Sequence, residues 1–210
     1  RNAFQCGLGM VHQHFMLVDA LTVWENVVIG NEPGKFSINK KETIKKVQEL
    51  SDKYHFDLNA EAKVADLSIG MKQRVEILKT LYRGAEILIL DEPTSFLDIR
   101  HKLELLAILK RLVLEKQIAV IISMHELDLA QKLSDRVVCV RGDRIDKCGT
   151  PDEIFTDAYI EQLYQVSCGS YHTVYGFMEL EKPAGKPEVF VIGGGGSGIP
   201  IYRQLQRKGI

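Results

Sequence analysis

The run ILILDEPTSFLD, residues 87–98, constrains this chain more than any other stretch. Four bulky apolar residues, Ile87 to Leu90, predict a strand buried on both faces, as in a parallel sheet covered by helices on each side. That strand delivers two adjacent carboxylates, Asp91 and Glu92, and Pro93 bars its ordinary continuation. A carboxylate at the end of an apolar strand is costly to bury unless it meets a metal ion or another charge. Open parallel sheets hold their ligands at the carboxyl ends of their strands. Asp91 is therefore placed to hold a hydrated Mg²⁺, and Glu92 to polarise a water molecule. A strand-ending turn with two solvated acids is the plainer alternative, and the flanking segments weigh against it.

Upstream lies DLSIGMKQR, residues 66–74. Ser68 is a helix N-cap candidate, with an apolar stripe of Met71, Val75, Leu78 and Tyr82 following at helical spacing. Gly84 ends that helix just before the Ile87 strand. Ser68, Ile69 and Gly70 thus set a small hydroxyl and bare backbone N–H groups at a helix N-terminus, where anions bind readily. Taken alone, this is also what a capped surface helix looks like. Two more apolar segments, GLGMVHQHF (residues 7–15) and QIAVIISMHE (residues 117–126), read as strands ending in Gln13 and His125. Three strands then end in an amide, a carboxylate pair and an imidazole, and all three termini can meet at one edge of one sheet.

These motifs, in this order, resemble the nucleotide-binding subunit of ABC transporters. Gln13 matches the Q-loop, and LSIGMKQR matches the signature usually written LSGGQ. ILILDE matches Walker B, Ser95 to Asp98 the D-loop, and His125 the H-loop. The spacing agrees too, including the 33 positions from Glu92 to His125. The likeness covers residues 7–165 and departs at Ile69, where Gly is usual, and at Met71, where Gln is usual; both changes are tolerated in importer-type relatives. The resemblance implies ATP and Mg²⁺ as ligands. It implies Glu92 as the residue that orients and deprotonates water, Asp91 and Gln13 as Mg²⁺ ligands, and His125 against the γ-phosphate. Ser68 and Gly70 would reach the nucleotide of a second subunit in a head-to-tail dimer, and Asp98 of the D-loop is a further nucleotide-binding candidate.

One expected motif does not occur. No GxxxxGK[ST] loop is present in the 210 residues, although that loop cradles the β- and γ-phosphates in P-loop ATPases. The expectation is a piece of a longer protein, begun in mid-domain. Near the other end, EKPAGKP (residues 181–187) reads as a linker, followed by VFVIGGGGSGIPIYRQLQRKGI. Gly193, Gly195 and Gly198 satisfy GxGxxG, but four consecutive glycines meet that pattern easily. The segment is expected to be the opening strand, turn and helix of an appended α/β domain.

Composition excludes several classes. A net charge of −1 gives no reason to expect nucleic acid or an anionic bilayer as direct partner. Cys6, Cys139, Cys148 and Cys168 show no metal-ligand spacing and suit reduced thiols. Apolar runs such as Ile118 to Ile122 are far too short to span a bilayer. Between Gln13 and Ser68 the chain reads as mainly helical. Thr22 with Glu25 and Asn39 with Glu42 make capping boxes, and Gly30 with Pro33-Gly34 separates the two helices. Ile44, Val47 and Tyr54 share one helical face. By resemblance this is the helical subdomain whose groove takes a coupling helix of the membrane subunit. Phe15, Met16, Leu17 and Trp24 are candidates to line that groove, with packing inside the subdomain slightly favoured for Trp24. A further helix from Lys102 to Glu115 and a hairpin turning at Gly142-Asp143 read as structural.

The expected fold is thus α/β, a P-loop NTPase-type ABC ATPase core lacking its N-terminal strands and P-loop. The core should span residues 1–165, with the helical subdomain at about 15–80. An extension and linker at 166–187 and the second α/β unit at 188–210 should follow. The implied function is the ATP-binding subunit of an importer. Its partners would be transmembrane permease subunits, a second nucleotide-binding subunit and, indirectly, a solute-binding protein, at the cytoplasmic face of the plasma membrane. The alternatives are a non-transport ABC ATPase and a non-hydrolysing regulator. The 55 positions from Gln13 to Ser68 leave no room for the coiled coil of chromosome-maintenance types, and no charged linker between paired cassettes is visible. Through Glu92 the chain resembles importers of nucleosides or simple sugars. From Ser95 onward it resembles importers of iron complexes or cobalamin.

Overall fold

The computed structural model describes residues 6–33, 39–172, 177–179, 189–193 and 197–209. The chain divides into two compact units, residues 1–125 and 126–210. The division falls inside the stretch 1–165 that the sequence presents as one domain.

The first unit is built on a parallel three-stranded sheet in the order β1 (Leu8–Val11), β2 (Ile87–Asp91), β3 (Ala119–Ser123). Leu8 pairs with Ile87 and Ile87 with Ala119, so all three carboxyl ends point the same way and Asp91 lies beside Ser123. One face of the sheet carries Val11, Leu88 and Leu90, each at most 1% exposed. These residues share a core with α3 (Ile69–Tyr82) and α4 (Ile99–Lys116), through Val75, Leu78, Leu105 and Leu109. Cutting Leu88 or Leu90 back to Ala is expected to cost roughly 2–5 kcal/mol, because the packed surroundings collapse only partly. The other face corrects the expectation of burial on both sides. Ile87 and Ile89 are half-buried, while Met10 and Ile121 are 46% and 56% exposed. An apolar run tells that a strand is buried, but the layers laid over it decide on how many faces.

Helix α3 reaches the sheet closely because β1 has no side chain at Gly9. A Cβ there would lie 2.8 Å from Ala85 Cβ and 3.0 Å from Thr80 Cβ. Between β1 and α3 come α1 (Val23–Val28), α2 (Lys40–Lys53) and a 3₁₀ turn at Val64–Asp66. The Glu25 carboxylate takes both the N–H and the hydroxyl of Thr22, at 2.8 and 2.7 Å. Those hydrogen bonds hold its pKa below the usual carboxylate value. Asn39 caps α2 by accepting from the Glu42 amide. Trp24 is 7% exposed and packs in the core with Val23, Val27 and Phe56. Met16 is 67% exposed, and Phe15 and Leu17 are half-buried. Of the four groove candidates, Trp24 belongs to the subdomain interior.

The second unit opens with α5 (Leu127–Leu133). An antiparallel hairpin of β4 (Val137–Arg141) and β5 (Arg144–Gly149) follows, turning at Gly142 with φ +62°. Helices α6 (Pro151–Ile154) and α7 (Asp157–Tyr164) lead to a short antiparallel pair, β6 (Ser170–His172) with β7 (Phe177–Glu179). Phe155, Ile160 and Tyr171 form a small core of their own. The strand expected after residue 188 is not formed. Residues 189–193 are irregular, and Phe190 and Ile192 are each 89% exposed. A lone apolar run cannot hold a strand without a neighbour to take its backbone hydrogen bonds. The helix after it does form, as α8 (Ile199–Arg207). Gly195 and the 181–187 linker lie outside the described residues.

Candidate active site at the strand ends

Beyond β1, β2 and β3 the chain turns, and four of the predicted side chains meet there or lie adjacent. Glu92 follows the last residue of β2 with φ +43°, a left-handed conformation that is strained for a Glu. Its N–H bonds to the Ser123 carbonyl at 3.1 Å and to Ser123 Oγ at 3.0 Å. Ser123 Oγ in turn donates to Asp91 Oδ1 at 2.7 Å. One serine at the end of β3 thereby fixes both carboxylate residues of β2.

The Glu92 carboxylate gathers the other ends. Gln13 Nε2 donates to Oε2 at 2.9 Å, Ser95 Oγ donates to the same oxygen at 2.9 Å, and His125 Nε2 lies 2.6 Å from Oε1. Gln13 and His125 are 79 and 33 positions away in sequence. The His125 side chain is 76% exposed and that of Glu92 26%, so this histidine is no core residue. Beside the cluster, the His14 and Phe96 rings stack at 6.4 Å with a 26° tilt.

Ser68, Gly70 and Asp98 form a second group. Ser68 Oγ caps α3 by accepting the Met71 amide at 3.3 Å. Asp98 caps α4 by accepting the His101 amide at 2.9 Å, and both of its oxygens lie 2.9 Å from His101 Nδ1. These contacts, the amide first, hold the Asp98 carboxyl below its usual range. The His101 ring lies against Gly70, where a Cβ would come within 2.7 Å of Cδ2. Gly70 is therefore glycine for a packing reason visible in the fold, and His101 links it to Asp98.

Ser123 and His101 escaped the sequence reading. Ser123 could have been found, since it is the polar residue closing an apolar strand in register with Asp91. Nothing local in the sequence ties His101 to Gly70, which lies on another helix.

The donor chemistry suits Mg²⁺. Asp91 carries carboxylate oxygens and Gln13 an amide carbonyl oxygen, the hard ligands this ion takes alongside water and phosphate. Among the described residues no three His, Cys, Asp or Glu side chains cluster as a metal cage, and Mg²⁺ does not require one.

A family described as ABC transporter matches residues 1–95. The Nucleoside import ATP-binding protein NupA of Lactococcus lactis is 42% identical over 192 residues, covering 90% of this chain and 36% of that protein. The Guanosine import ATP-binding protein NupO of Bacillus subtilis is 52% identical over 136 residues, 64% of this chain and 26% of that one. The chain belongs to the ABC transporter ATP-binding family. Among solved structures, the ADP- and Pi-bound dimer of the ATP-binding cassette MJ0796 superposes with a TM-score of 0.56 at 26% identity. It covers 69% of this chain and 62% of that cassette. The α/β fold is that of ABC ATPase cassettes. This family member spans about a third or less of the length of its two nucleoside-import relatives.

Proposed function

We propose that this chain is the ATP-binding subunit of an ABC importer, with ATP hydrolysis at the strand-end cluster coupled to solute transport. The observation that carries this reading is the convergence of Gln13, Ser95 and His125 on the Glu92 carboxylate, with Asp91 held alongside by Ser123. A carboxylate so oriented can align a water molecule and take its proton as it attacks the γ-phosphate. Gln13 and Asp91 would hold Mg²⁺, which when bound neutralises charge on the phosphates. His125, 2.6 Å from Glu92 Oε1, would contact the γ-phosphate. Ser68, Gly70 and Asp98 would act on the nucleotide of a second copy, a role supported by the dimeric cassette among the fold neighbours.

The names of NupA and NupO favour a nucleoside as the transported solute. Transmembrane permease subunits would be the direct partners and a solute-binding protein an indirect one, on the cytoplasmic face of the plasma membrane. Among the described residues no helix is long and apolar enough to cross a membrane, which fits attachment through such partners.

The test is Glu92→Gln in a version of the chain that includes a GxxxxGK[ST] loop. The variant is expected to keep Mg-ATP binding, lose turnover and accumulate as an ATP-bound dimer. Turnover within about tenfold of wild type, a barrier change of only ~1.4 kcal/mol, refutes the assignment.

A further inference from the structure

Glu76 is a buried carboxylate that the chemistry above does not use. It sits mid-way along α3 and is 6% exposed. Its Oε1 accepts the Met16 N–H at 2.7 Å, and its Oε2 lies 3.6 Å from Lys79 Nζ, one helical turn on. Lys79 Nζ then donates to the Met16 carbonyl at 3.1 Å. One ion pair on α3 thus binds both backbone groups of Met16. Two residues further, the buried Asn26 of α1 does the same to Val18, accepting its N–H at 2.7 Å and donating to its carbonyl at 3.1 Å. Asp19 is tied to Lys72 of α3 at 2.7 Å.

The segment 16–19 has no strand or helix of its own, so side chains stand in for a ladder. A buried carboxylate carries a large desolvation cost unless it is paired and hydrogen-bonded. Glu76 meets that cost with the Met16 amide and the Lys79 ammonium. Gln13, three positions before Met16, reaches Glu92 from the end of β1. Only His14 and Phe15 lie between the part of the chain held by the strand-end cluster and the part held by α3. We infer that Glu76 and Lys79 are positioning residues for Gln13. They anchor the chain at Met16 to the helix that Ser68 caps and whose first turn carries Gly70, and so set how far Gln13 can travel from Glu92. The inference rests on the reading of Gln13 as part of a nucleotide site.

Amide hydrogen exchange and turnover test it together. In the chain itself the Met16 amide is expected to be protected. Glu76→Ala should speed its exchange at least ~10-fold while Val75 and Leu78 amides on α3 stay protected. Glu76→Gln, whose amide oxygen still accepts, should restore most of that protection. In the version carrying a GxxxxGK[ST] loop, Glu76→Ala and Lys79→Met should lower kcat by about tenfold with KM for ATP within about twofold, the pattern of misplacement rather than lost binding. Unchanged exchange at Met16, or equal loss of protection along α3, overturns the inference. So does faster Met16 exchange with kcat intact. If Gln13→Ala also leaves turnover unchanged, the nucleotide reading itself fails. That result is separate from the exchange data, which decide the anchor.

Discussion

At Glu92 the backbone adopts φ +43°, which costs a non-glycine residue about 1–2 kcal/mol. The strain persists because Ser123 binds the Glu92 N–H through two oxygens and Gln13, Ser95 and His125 bind its carboxylate. Residues held in such conformations by their surroundings are characteristic of working sites. His125 is the partner whose removal separates function from stability. Its side chain is 76% exposed, so His125→Ala should change stability by no more than about 0.5 kcal/mol. In a version with a GxxxxGK[ST] loop it should still cut turnover by roughly 10²-fold or more. A fall in melting temperature large enough to account for the lost activity would give His125 a structural role instead. Asp91 and Glu92 were legible from sequence as the polar residues closing an apolar run, whereas Gln13 and His125, expected at strand ends, lie two positions beyond the ends of β1 and β3. Ser123 was legible in principle for the same reason as Asp91. Its bridge between two carboxylate residues becomes visible only once β2 and β3 are in register.

Helices α3 and α4 meet through the contact of His101 with Gly70. A methyl group at Gly70 would lie 2.7 Å from His101 Cδ2 and 3.1 Å from its Cβ. Gly70→Ala should therefore destabilise the protein by about 1–3 kcal/mol, as overpacking does. Adding His101→Ala should recover much of that loss. Thermal melts of the single and double variants measure the coupling, and additive losses would mean that the two residues do not constrain each other. The Asp98 cap makes a pH prediction. Its carboxyl is held below the ordinary range, so the folded state favours the charged form. The stabilisation is present above the unfolded carboxylate pKa, about 4, and is lost as pH falls through the lower folded value. Asp98→Asn should flatten this part of the acid limb of a stability–pH curve. An acid limb identical to wild type would show that the cap contributes nothing there. The helix starts at Ser68 and Asn39 could be read from cap residues, since capping is local chemistry. The α3–α4 contact could not, because it depends on how two distant helices pack.

For the chain as a whole, residues 1–210 alone are not expected to hydrolyse ATP. Positioning and charge stabilisation of the phosphates carry nearly all of phosphoryl-transfer catalysis. The groups at the strand ends suit water and Mg²⁺ rather than a bare triphosphate. Gly198 is followed directly by Ile199, not by the lysine that closes a GxxxxGK[ST] loop. Calorimetry with Mg-ATP on the purified chain tests this. Micromolar binding with Mg-dependent phosphate release would require a nucleotide site among these residues that none of the motifs marks. The three strands of the parallel sheet, the order of the motifs and the places of Gln13, Asp91, Glu92 and His125 in the strand-end cluster follow from sequence, because apolar periodicity and polar termini are properties of short segments. The number of covered faces on β2 does not, because it depends on which layers pack over the sheet. Nor does the fate of residues 189–193, because a strand needs a partner supplied from elsewhere in the chain. The anchoring of Met16 by Glu76 and Lys79 is likewise tertiary. Sixty positions separate Met16 from Glu76, and only the packing of α3 beside the exit from β1 gives a buried carboxylate a backbone amide to hold.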